Sequence, residues 1–155
     1  MNRIAGWFKR KVKDPLLAEL KQGITAKDLA AACAVSLAIA VNPIIGTTTI
    51  LCLLAGKIFR LNHVVMQIIN YFSYPLQIVL IIPWVRLGEK LTGSEAQVIE
   101  ISQMKAEFNR SVVGFVTKFF QMGEHALLGW LVVIPWATWI LYKILVLVFK
   151  RFINR

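Results

Sequence analysis

The stretch from Asn42 to Thr49, Asn-Pro-Ile-Ile-Gly-Thr-Thr-Thr, gathers most of the groups in this sequence that could do chemistry. Pro43 removes a backbone donor and its ring clashes with the preceding turn, so a helix running into it must stop. A new helix starting near Gly46 presents unpaired N–H groups and the positive end of its dipole, and the glycine lets a ligand come close to the backbone. The hydroxyls of Thr47 and Thr48 add donors, so the place suits a phosphate or a carboxylate. Lys57 and Arg60 stand at the far end of the same half-helix, where two cations can hold an anionic headgroup. The candidate anion and lipid-headgroup residues are therefore Asn42, Gly46, Thr47, Thr48, Lys57 and Arg60. Thr49 falls with Gly46 and Gly56 on a small-residue face suited to packing against a neighbouring arm. The bland reading of the same residues is that the threonines cap a helix and the cations set membrane topology.

No comparable case exists for catalysis or a cofactor. His63 and His125 are far apart in sequence, and neither has a Ser, Cys or carboxylate at a spacing that forms a nucleophile or ligand set. Cys33 and Cys52 sit in apolar stretches without metal-ligand spacing and read as small apolar residues. The expectation is a protein that is not an enzyme, with no metal and no cofactor.

The elements that must position these groups are set by hydropathy. The chain has 155 residues, 57% hydrophobic and only 17% charged, and its mean hydropathy is +0.64. A soluble domain carries about 25% charged residues, so the composition predicts an all-α integral membrane protein. Eighteen Lys and Arg against eight Asp and Glu give a formal net charge of +10, which suits an anionic leaflet and makes nucleic acid an unexpected partner.

Residues 1–24 read as a basic amphipathic segment lying on a lipid surface, with Ile4, Trp7, Phe8 and Val12 among five Lys and Arg. Residues 25–155 form a single membrane domain, opened by a capping box at Thr25 and Asp28. Leu29–Gly56 is uncharged over 28 residues but broken at Pro43. Each half reaches only about 20 Å, short of a hydrocarbon core of about 30 Å, so 29–56 reads as a re-entrant hairpin. Ala30, Ala34 and Ala38 on its first arm would face the small residues of the second.

Residues 61–85 form a second uncharged run, a transmembrane helix broken at Ser73, Tyr74 and Pro75. A pair of broken apolar segments in corresponding places is a pointer to a midplane site, as in transporters. Residues 94–122 carry an amphipathic stripe through Ile101, Met104, Phe108, Val112, Phe115 and Phe119, and residues 126–149 form a second transmembrane helix in which fourteen Leu, Ile, Val and Phe outweigh Lys143. Seven basic residues in the first 27, the Lys57 and Arg60 connector, and Lys150, Arg151 and Arg155 predict both termini on the cytoplasmic side of the membrane.

Pro43, Gly46, Thr47, Thr48, then Arg60-Leu61-Asn62, resemble the pattern of a bacterial membrane-protein family catalogued as domain of unknown function 2062, over roughly residues 25 to 150. A later family element, Asn-Pro followed by threonine, stands here as Tyr74, Pro75, Leu76 and Gln77. The resemblance implies a small envelope protein whose relatives are sometimes joined to glycosyltransferase domains, and it implies no agreed reaction. Leu53-Leu54-Ala55-Gly56 is similar, more loosely, to an arm of DedA-type lipid transporters, with Thr47 where those carry an acidic residue.

Two functions follow as expectations. The first is handling of an anionic lipid, a phospholipid or a polyisoprenyl phosphate, moved or presented for envelope biogenesis. The second is a non-catalytic scaffold for an envelope glycosyltransferase, and a homo-oligomer is compatible with either. A polar cavity open to lipid at the break favours the first, and a closed break beside an exposed apolar stripe on the 94–122 segment favours the second.

Overall fold

A computed structural model describes residues 25–95 and 101–153; the basic segment at 1–24 lies outside them. The described residues are all-helical, with no strand. They form α1 (Ala26–Ala40), α2 (Thr48–Ile58), α3 (His63–Phe72), α4 (Tyr74–Thr92), α5 (Ile101–Arg110) and α6 (Val112–Ile153).

The expected capping box opens α1. The Thr25 hydroxyl accepts from the Asp28 N–H at 3.2 Å, and the Asp28 carboxylate accepts from the Thr25 N–H at 3.4 Å. α1 is buried along most of its length, from Leu29 to Ala40, because α2, α3 and α6 all pack on it. One core cluster joins Leu29 and Cys33 of α1, Cys52 of α2 and Val65 and Met66 of α3, with Leu61, Leu145 and Phe149 against it. The start of α1, the α2–α3 turn and the end of α6 are thereby gathered at one end of the bundle. Ser36 donates to the Met66 carbonyl and lies 3.8 Å from Cys52 Sγ, linking the three helices through a buried hydroxyl.

The packing face of α2 is Thr48, Cys52 and Gly56, which corrects the expected Gly46, Thr49 and Gly56 face. Four-residue steps of about 400° keep these side chains on one line of the helix. Ala34 and Ala38 face an apolar groove shared with α4 and α6 rather than the second arm.

The Arg60-Leu61-Asn62 sequence is a helix stop followed at once by a helix start. Leu61 N–H donates to the Gly56 carbonyl at 2.9 Å, the six-to-one bond of a Schellman ending, which needs its preceding residue left-handed. Arg60 takes that place with φ +53, where glycine is usual. Asn62 then caps α3, its side chain accepting from Val65 N–H at 3.0 Å.

α3 and α4 meet at Ser73 with a bend of 66°, within the interruption expected at Ser73, Tyr74 and Pro75, and Pro75 sits in the first turn of α4. α4 then continues through Pro83 and ends only at Gly93, left-handed with φ +67. α4 packs closely on α6 at two glycines: a Cβ at Gly88 would overlap the His125 carbonyl, and one at Gly129 would overlap that of Trp84. A second core cluster of Val41, Trp84, Val85 and Ala126 surrounds this crossing.

The helical break expected near residues 123–125 falls instead at Ser111, whose hydroxyl accepts from Gly114 N–H at 3.1 Å. From Val112 onward the chain is one helix of 42 residues, about 63 Å at about 1.5 Å per residue. α6 is long and apolar enough to cross a membrane, and the bent pair of α3 and α4 passes the same test when taken together.

Candidate functional site

The first break is built around the C-terminal end of α1, where a helix leaves its last carbonyls without partners. Asn42 N–H bonds Ile39 O at 3.0 Å, so the Ala38 carbonyl loses the donor it would have had in a continuing helix. Three side chains from distant elements take up the freed oxygens. Trp130 Nε1 donates to Ala38 O at 3.1 Å, Trp84 Nε1 to Val41 O at 3.0 Å, and Gln77 Nε2 to Asn42 O at 2.7 Å. Gln77 lies one turn into α4, so its bond brings the two breaks together, at residues 42 and 73.

Asn42 holds the turn. Its side-chain oxygen accepts from Ile44 N–H at 2.6 Å, closing a ring over Pro43, and the residue is buried. Ile44, Ile45 and Gly46 are exposed at the tip. Gly46 has φ +89, with open space where a Cβ would stand, so its conformation calls for glycine and leaves the backbone approachable. Thr47 makes no cap bond to α2; its hydroxyl donates to Ile44 O at 2.9 Å. The first turn of α2 consequently keeps its N–H groups without a side-chain cap.

The structure places Thr48 differently from the expectation of an accessible donor. It is fully buried and its hydroxyl has no hydrogen-bond partner. Lys57 and Arg60 are exposed but lie nine and twelve residues beyond Thr48, about 14 to 18 Å along a helix. The chain therefore brings Asn42, Gly46, Thr47 and Thr48 together and holds the two cations apart from them, at the opposite end of α2.

The sequence reading passed over the polar side chains that face this place. Gln67, Asn70, Ser73 and Gln77 recur at steps of three, three and four through the α3–α4 bend, a spacing that lines one helical face. Asn70, Ser73 and Gln77 are buried. Gln67 Nε2 donates to Thr49 O at 3.3 Å and Asn70 Nδ2 to Thr49 Oγ1 at 3.4 Å. That stripe of four polar residues in an otherwise apolar run was the available signal.

Beside the break runs a groove of about 210 Å³ lined by α1, α4 and α6, from Ala34, Ala38 and Val41 to Leu80, Trp84 and Leu141. Its one polar lining residue, Thr138, turns its hydroxyl to Ile134 O at 2.7 Å, so the wall is hydrocarbon.

A second polar contact lies at the end of α4. His125 Nε2 is 3.2 Å from Ser94 Oγ, and its Nδ1 is 2.7 Å from Gln121 O. A carbonyl only accepts, so Nδ1 carries a proton, and in the neutral imidazole Nε2 is then the acceptor to which the serine hydroxyl can donate. The serine also lies 2.9 Å from Thr92 Oγ1. Sequence spacing had given His125 no such neighbour. Glu89, one turn before Thr92, is buried and pairs with Arg86 at 2.9 Å. Among the described residues no group of three or more His, Cys, Asp and Glu side chains is placed to hold a metal ion.

A family model described as an uncharacterized protein conserved in bacteria, DUF2062, matches residues 7–155. The chain belongs to that family. No curated protein and no solved structure matches it.

Proposed function

We propose that this protein handles an anionic lipid of the bacterial cytoplasmic membrane, moving or presenting a phospholipid or a polyisoprenyl phosphate for envelope biogenesis. The observation that carries the reading is the uncapped N-terminus of α2, set at an approachable glycine between two helix breaks that touch each other. A headgroup phosphate there meets N–H groups and the dipole of α2. The hydrocarbon groove starts at Val41, one residue from the break, and is suited to the lipid's chain.

The same geometry supports the following membrane arrangement as part of the proposal. α1 and α2 form a re-entrant hairpin, since the start of α1 and the turn after α2 lie at one end of the bundle with the end of α6. The bent pair α3–α4 and the helix α6 supply two crossings, and both termini are cytoplasmic. Lys57 and Arg60 then stand at the cytoplasmic entrance, and the serine–histidine contact lies at the other end. The protein is not an enzyme in this reading.

The test is lipid occupancy after mild extraction, measured by mass spectrometry for phospholipids and polyisoprenyl phosphates. Thr47→Asp places a carboxylate where it caps the first N–H groups of α2 and repels a phosphate. Occupancy should fall in this variant and in Lys57→Gln with Arg60→Gln, with the fold retained. Occupancy equal to wild type in both would overturn the reading.

Two observations favour the scaffold for an envelope glycosyltransferase, the first being that the break is closed by Trp84, Trp130 and Gln77 beside a groove of hydrocarbon and not a polar cavity. Val112, Val113, Val116, Phe119 and Phe120 are exposed, and their spacing puts them on one side of the first turns of α6. Copurification that is lost on changing Phe119 and Phe120 to serine, with lipid occupancy unchanged, would make that reading the better one.

A further inference from the structure

Thr48 Oγ1, Gln67 Oε1 and Asn70 Oδ1 are buried and receive no hydrogen bond. Native interiors hold few such groups, and three at one contact between two short helices is a concentration that calls for a ligand. Thr48 and Asn70 are 0% and 1% exposed. Gln67 and Asn70 are one turn apart on α3, and both hook their amide nitrogens onto Thr49, the neighbour of Thr48. For Gln67 the orientation is fixed by chemistry: Thr49 O can only accept, so the amide nitrogen faces it and the oxygen faces away.

We propose that Thr48, Gln67 and Asn70 bound a site for a dehydrated alkali-metal cation, set between α2 and α3. The donor set selects this class. Each amide spends one N–H on Thr49, and the atoms left without a partner at this contact are three oxygens, which a cation can draw together. None of the three titrates, so a proton has no place to bind. None is a carboxylate, which divalent cations favour in their oxygen shells. The C-terminal turn of α3 lies against the first turn of α2, and the side-chain oxygens supply the ligands. Such a site at the junction of two broken segments gives the lipid-handling fold a way to sense an ion gradient without a buried carboxylate.

The experiment is thermal unfolding of the purified full chain in detergent, in lithium, sodium, potassium and choline chlorides at equal ionic strength, with no lipid added. One alkali cation should raise Tm over choline by about 2–4 °C and saturate with concentration. Thr48→Val should abolish the response while leaving Tm in choline equal or higher, because it removes a buried hydroxyl that has no partner. Asn70→Asp should lower the midpoint of the cation titration by about tenfold or more, since it adds a charge to the site. Equal Tm in all four salts overturns the proposal. So does a response that Thr48→Val keeps and Asn70→Asp leaves unmoved, which would place the ion elsewhere. Lipid occupancy does not enter these measurements, so their failure is separate from failure of the lipid reading.

Discussion

Replacing Trp130 or Trp84 by phenylalanine tests whether the first break is held shut from outside its own helix. Either change keeps an aromatic ring and deletes one N–H, leaving the carbonyl of Ala38 or of Val41 without its donor. Both carbonyls belong to buried residues, so water does not replace the lost bond freely, and each variant should lose about 1–3 kcal/mol. At about 2–4 °C per kcal/mol for a chain of this size, Tm should fall by about 2–12 °C. Gln77→Leu deprives Asn42 O in the same way and should fall in the same range. Trp136 and Trp139 are 72% and 60% exposed, so Trp136→Phe and Trp139→Phe are the controls for loss of an indole alone. Thermal unfolding in detergent reads all five. The reasoning is refuted if Trp84→Phe and Trp130→Phe track the two controls, because the carbonyls at the break would then be satisfied by something other than these side chains. Adjacent carbonyls of one helix end are not independent, and the double variant would measure their coupling.

At the α4–α6 crossing, Gly88→Ala and Gly129→Ala should each push the helices apart, because a Cβ meets backbone in both cases; Tm should drop by more than for Gly123→Ala, where a Cβ meets open space. Arg60→Gly should leave stability unchanged or raise it by up to about 1 kcal/mol, since glycine adopts φ +53 without strain. The same change should lower lipid occupancy if the charge of Arg60 serves the entrance. Single cysteines at Ala26 and Ile58, in a chain whose own cysteines are replaced, should label from the same side of the membrane; labelling from opposite sides would make residues 29–56 a spanning segment.

Local chemistry carried the sequence reading a long way. Asn42-Pro43 and Gly46 announced a break, Thr25 with Asp28 announced a helix start, and both stand where they were expected. Arg60 did not advertise a left-handed stop, because arginine is not a residue that turn patterns single out. Pro83 lies inside α4, which passes through it because burial of Trp84 and Val85 against α6 outweighs the missing bond. Thr48 and Thr49 were assigned to the wrong faces because the phase of α2 depends on where it starts, and a shift of one residue turns a side chain by about 100°. The donors that close the break come from residues 35 to 92 positions away, a distance over which periodicity says nothing. The polar stripe from Gln67 to Gln77 was visible as spacing, but its meaning lies in what the bend places opposite it.

The length of α6 sets a height. A hydrocarbon core is about 30 Å thick, and a helix tilted by about 40°, the upper end of the usual range, still rises about 48 Å over about 63 Å of its axis. About 18 Å or more must then stand clear of the hydrocarbon whichever way the helix leans. In the proposed arrangement, with residues 126–149 inside the lipid, the excess would fall at the end that begins with Val112, which carries α5 through Phe108 and Phe115 at 5.4 Å. The first turns of α6 would then act as a mast that holds Phe119 and Phe120 at a fixed elevation above the bilayer, graduated in steps of about 1.5 Å per residue. Adding or deleting four residues there would raise or lower whatever meets them by about 6 Å and rotate it by about 40°.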